Sequence, residues 1–182
     1  MEDLGFLAPM PDIEGADILV LGIGNSIMSD DGVGPAVVAR LAGLGLPGAR
    51  LVDGGTCGLA LLPHIEACTA LVVVDAARLG RPAGTVSVLE GPAFDDALSG
   101  AKTTAHEVAL ADLLDAADAV GGRPGRRALI AVEPAHVRVG TELSPAVALA
   151  VGWAMAEVRA CVARWRTIES TRITERSRGG RG

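Results

Sequence analysis

The chain has 182 residues, 49% of them apolar, with 24 glycines and a formal net charge of −6. That length suits one compact domain with its own core, and an acidic balance disfavours nucleic acid as a partner. The three cysteines, Cys57, Cys68 and Cys161, are odd in number and far apart with no C-x-x-C pair, which argues against a disulfide framework or zinc cluster and for a reducing cytoplasm.

Residues 1–16 read as an N-terminal extension, acidic and without a basic residue ahead of an apolar segment, unlike a secretory signal. A single domain is expected over 17–166. Within it "DILVLG" (17–22) reads as a strand, 33–44 as a helix, "ARLVDGG" (49–55) as a strand and 58–67 as a helix. Strands follow at "ALVVVDA" (70–76) and "TVSVLEG" (85–91), then a helix at 104–120, a strand at "RALIAVEP" (127–134) and a helix at 144–164. Several strands are apolar almost throughout, as strands buried on both faces should be. Ser144 and Pro145 offer the last helix an N-cap and an N1 proline.

This alternation predicts an α/β domain, an open and mainly parallel sheet with helices on both faces, because parallel neighbours need crossover connections. The short Ala83-Gly84 link suggests an antiparallel fourth strand. Apolar runs such as 146–156 fall short of the roughly 20 residues of a membrane helix, which predicts a soluble chain. Residues 167–182, rich in Arg and poor in apolar groups, read as a disordered basic tail, with an interaction arm as the alternative.

The first strand runs into "GIGNSIMSDDGVGP" (22–35). A dinucleotide fingerprint would place a third glycine where Ile27 stands, and a P-loop would need a lysine, yet the only lysine is Lys102. Asp30 and Asp31 would repel phosphate at a helix N-terminus, so the loop suits a cation. Asp53 and Asp75 close the second and third strands, where an open α/β sheet gathers its ligands; a lone acid there is also a common turn former. His106, at the start of a helix, would complete a nitrogen and oxygen site beside two carboxylates. His64 and His136 read as structural.

At this point the sequence resembles the maturation endopeptidases of [NiFe] hydrogenases. The resemblance covers residues 18–158 and rests on "ILVLGIGNSIMSDDGVGP" (18–35), "VDGGTCGLALLPHI" (52–65), "LVVVDAARLGRPAGTV" (71–86), "AHEVALADLL" (105–114) and "VEPAHVRVGTELSPAV" (132–147). It implies a three-layer α/β/α fold with a twisted five-stranded sheet, and removal of a C-terminal extension from the hydrogenase large-subunit precursor after nickel insertion. It implies a metal-contact and catalytic trio of Asp31, Asp75 and His106, where the family carries Glu or Asp at the first of these. It also makes Asp53, Gly54, Gly55 and Thr56 a substrate-recognition loop, removing Asp53 from the ligand group; the plain alternative for Asp53 is a turn stabiliser bonding the amides of Gly55 and Thr56.

The resemblance further implies that nickel arrives bound to the precursor's thiolates, which would dominate its affinity over one imidazole and two carboxylates. Polarisation of a water or carbonyl by the metal, with Asp31 or Asp75 as base, would then cleave the chain. A serine nucleophile is not indicated, since no G-x-S-x-G elbow is present; a thiol mechanism at Cys57 lacks an oriented base. Two other functions fit the same acids: a metal-dependent hydrolase of small substrates, and a non-catalytic nickel-dependent assembly factor.

Overall fold

The computed structural model describes the backbone of residues 18–56, 58–99 and 105–179, and the side chains of these except 99, 105–109 and 169–179. The chain runs β1 (Ile18–Ile23), a 3-10 turn (Ser29–Gly32), α1 (Val33–Leu44), β2 (Arg50–Gly55), a second 3-10 turn (Leu59–Leu61), α2 (Leu62–Glu66), β3 (Ala70–Ala76), β4 (Val86–Glu90), α3 (Pro92–Ser99), α4 (Ala105–Ala119), β5 (Arg126–Val132) and α5 (Pro145–Gly179).

The five strands form one sheet in the order β2-β1-β3-β5-β4. β1, β2, β3 and β5 are parallel, and β4 runs antiparallel to β5 from Val86↔Val132 to Glu90↔Ala128. β1 and β3 are buried at every position, which their apolar sequences, interrupted only by Asp75 near the end of β3, anticipate. Alternation along the strands divides the core in two. Val20, Val72, Val74, Ile130 and Val132 pack under α1 and α5, whereas Leu19, Leu21, Leu71, Val73 and Leu129 pack under α2, α3 and α4. The layers are helix, sheet, helix, as expected.

Three elements differ from the sequence reading. α3 was not among the expected elements; Pro92 opens it, and Phe94 and Leu98, one turn apart, are buried against the sheet. α5 does not end near Arg164 but continues to Gly179, so the expected disordered tail is helical over 167–179. Low apolar content denies that segment a core but not a helix, because extending an existing helix is far cheaper than nucleating one. Finally, Pro145–Ile168 is long and apolar enough to cross a membrane, a longer stretch than the apolar run counted in the sequence. Its Val147, Val151, Ala154, Val158, Val162 and Trp165 are buried in the α1/α5 core, so it is a core helix here.

Candidate active site

β1 connects to β2 on one side of the sheet, whereas β3 lies on its other side, so the strand order reverses between β1 and β3. The crevice outside the carboxyl ends at such a reversal is where open α/β sheets bind ligands. Asp31 and Asp75 both stand there.

Asp31 lies in the 3-10 turn between β1 and α1, and this turn packs against β3. Glycine shapes the approach. A Cβ on Gly22 would sit 2.5 Å from the Gly34 carbonyl oxygen, and one on Gly34 would collide with the carbonyl oxygens of Ile23 and Val74. The helix therefore approaches the first strand closely through Gly22 and Gly34. Gly24, at φ +132°, turns the chain where any Cβ would strike the Asp31 carbonyl. Asp31 is 5% exposed, and its Oδ2 accepts the Asn25 N–H at 2.8 Å.

Asp30, its neighbour, is wholly buried and points elsewhere. Its carboxylate accepts the backbone N–H groups of Ala135 (2.9 Å), His136 (3.1 Å) and Ser144 (2.6 Å) and the Ser144 hydroxyl (2.9 Å). Burial alone would raise its pKa, but these donors outweigh it and hold the carboxyl below the usual range. Ser144 occupies the expected N-cap position, yet its hydroxyl serves Asp30. Ser29 adopts φ 48° and is fixed by its N–H to the Gly140 carbonyl (2.7 Å) and by its Oγ, which accepts the Arg138 N–H (3.1 Å) and lies 3.3 Å from His136 Nδ1. His136 thus supports the loop, in line with a structural role.

Asp75 is the penultimate residue of β3 and 4% exposed. Alternation sends it to the same face as Leu71 and Val73, the face that α4 covers. α4 leads into β5, and the Gly125 N–H bonds the Thr69 carbonyl (3.0 Å) just ahead of β3. The helix therefore starts at the carboxyl end of the sheet, and His106 lies in its first turn. The His106 side chain lies outside the described residues. Among the described residues no group of three His, Cys, Asp or Glu is placed to hold a metal ion.

Asp53 is exposed, and its Oδ1 accepts the Gly55 N–H at 3.0 Å, the turn-stabilising contact weighed for it. The Gly55 carbonyl in turn accepts the Gly24 N–H (3.1 Å), joining residues 53–56 to the Asp31 loop. His64 stands apart in α2, and its pKa is lowered by burial and by the Arg50 charge. Cys57 lies outside the described residues. A cleft of about 570 Å³ lined by Glu66, Cys68, Thr69, Arg123 and Arg126 lies at the opposite end of the sheet. Its arginines are engaged, Arg123 with Asp95 and Asp115, Arg126 with the Trp165 carbonyl.

The sequence reading missed the structural weight of Asp30 and of Glu133. Glu133 is 7% exposed and its Oε2 accepts the N–H groups of Leu79 (2.7 Å) and Arg81 (3.1 Å) in the loop after β3. The only local signal was an acid beside proline at a strand end.

Residues 35–160 match the family model described as hydrogenase maturation protease. The chain is 37% identical over 151 residues to the hydrogenase expression/formation protein HupD of Rhodobacter capsulatus, covering 81% of this chain and 72% of that one. It is 32% identical over 148 residues to the hydrogenase 2 maturation protease of Escherichia coli K12, covering 80% and 90%. Among solved structures, the hydrogenase maturating endopeptidase HybD from E. coli superposes with a TM-score of 0.76 at 28% identity, over 81% of this chain and 92% of that one.

Proposed function

Because the chain belongs to the hydrogenase maturation protease family, we propose that its strand-end acids serve an endopeptidase that removes the C-terminal extension of a [NiFe]-hydrogenase large-subunit precursor. Asp31, Asp75 and His106 are the residues of this site. The observation that carries the reading is the meeting of the Asp31 and Asp75 loops at the strand-order reversal, with the first turn of α4 on the Asp75 face.

Nickel comes with the precursor, held by its thiolates, and the trio reads it. Two carboxylates and one imidazole are a modest donor set for a divalent ion, so thiolates dominate the affinity and an unloaded precursor offers the trio little to grip. Within the complex, either Asp31 or Asp75 accepts the proton of the attacking water, while the precursor's nickel, contacted by the trio, would supply Lewis-acid stabilisation of charge developing at the scissile carbonyl. The Asn25 N–H, donated to Asp31 Oδ2, orients that carboxylate for either task. Asp53, Gly54, Gly55 and Thr56 border the crevice through the Gly55–Gly24 bond and contact the precursor. Cys68 and Cys161 are buried thiols outside any disulfide, which suits a reducing cytoplasm.

The test mixes chelator-stripped protein with precursor prepared with and without nickel and looks by mass spectrometry for loss of a short C-terminal peptide. Cleavage of the nickel-loaded precursor alone is expected. Equal cleavage of both would remove nickel from the reading, and binding without peptide loss would leave an assembly factor.

A further inference from the structure

Two buried carboxylates outside the trio, Asp30 and Glu133, tie down the connector 133–144 between β5 and α5 from opposite sides, Asp30 by accepting from it and Glu133 by reaching out of it. Asp30 receives that connector at Ala135, His136 and Ser144 through four donors. Glu133 starts it, and reaches the other way to the N–H groups of Leu79 and Arg81, four and six residues beyond Asp75. Backbone bonds reinforce this second tie: Ala77 N–H to the Val132 carbonyl (3.1 Å), Gly84 N–H to the Glu133 carbonyl (2.8 Å) and Glu133 N–H to the Thr85 carbonyl (2.9 Å). The Asp31 loop and the Asp75 loop are thus fastened to one another through the connector.

The chemistry suits carboxylates and little else. A carboxylate only accepts, and its two oxygens take several donors at once. An uncompensated buried charge would be costly, so Asp30 is tolerable only while the connector supplies its N–H groups, and Glu133 only while the loop after β3 supplies those of Leu79 and Arg81. The tie is also stiff: Ser29, beside Asp30, is held at φ 48°, a conformation a non-glycine residue keeps only when its surroundings over-determine it.

We propose that Asp30 and Glu133 are positioning residues which, through the 133–144 connector, set where Asp31 and Asp75 stand relative to each other for cleavage. This rests on the proposed function. A misplacement of about 1 Å at reacting groups can cost on the order of 100-fold in rate, so fixing that separation matters more than burial strength alone.

The experiment compares Asp30→Asn and Glu133→Gln with the parent on nickel-loaded precursor, well below each variant's melting temperature, alongside amide hydrogen exchange of the free proteins. The expected result is a kcat lower by about 10- to 100-fold with KM unchanged. Exchange should be faster at 25–31 and 135–144 in Asp30→Asn and at 77–84 in Glu133→Gln. Parental kcat in both, or a change in KM alone, overturns the proposal. Should either variant fail to fold, Ser144→Ala removes one donor to Asp30 and is expected to lower kcat less, in the same direction; parental kcat there overturns the proposal as well. If the parent itself leaves the precursor intact, the proposed function has failed, and hydrogen exchange alone decides: parental exchange at 25–31 and 77–84 then refutes the tie.

Discussion

Asp31 and Asp30 are adjacent and both buried, yet one faces the crevice and the other is saturated by donors from distant chain. Asp31→Asn, Asp75→Asn and His106→Gln each remove charge and ligand capacity with little change of shape. Each is expected to abolish processing while circular dichroism matches the parent; cleavage by any one would eliminate that residue. Asp30 predicts a pH effect instead. Its folded-state pKa lies below the unfolded value of about 3.9, so its ionised form stabilises the fold above that value, and the contribution is lost as pH falls through the folded-state pKa. Asp30→Asn should melt well below the parent at about pH 6, and the gap should narrow below about pH 3; a constant gap would contradict this. Asp31 and Asp75 stand out in the sequence because each follows or closes a strand, and the carboxyl ends of strands are where such sheets bind. The role of Asp30 does not, since its donors lie 105 to 114 residues away and leave no local trace.

The elements were readable where periodicity and length agreed, as in β1, β3 and α4. α3 escaped because Gly91-Pro92 reads as a break, and β4 was recognisable as antiparallel but not as a neighbour of β5, since pairing partners are set by the whole sheet. α1 owes its position to contact between backbones at Gly22 and Gly34. Gly34→Ala must push against carbonyl groups rather than flexible side chains, so a loss of about 1–3 kcal/mol or more is expected in urea unfolding. A loss within error would mean that α1 shifts freely. α5 sets the opposite limit. Among the described side chains its last buried one is Trp165, and Arg166 donates to the Pro47 carbonyl (3.1 Å). Deleting 167–182 should therefore leave melting and processing nearly unchanged, and a drop of several degrees would show that the end of α5 docks.

For the whole molecule, two apolar cores, one on each face of the sheet, bury the side chains whose removal from water drives folding. The isolated protein is expected to purify without stoichiometric nickel and to melt at the same temperature with and without chelator; a chelator-dependent melting temperature would point to a resident structural metal. The Asp30 bonds carry one more consequence, for the order in which the protein is made. Ser144 lies 114 residues beyond Asp30, and closing so long a loop is among the slower steps of folding. A ribosome building this chain releases the Asp31 loop early, but its clamp arrives only when most of the domain has been synthesised. A nascent fragment lacking residues 135–144 holds both strand-end acids without the anchorage that arranges them, so proteolytic competence should appear late, with the finished domain.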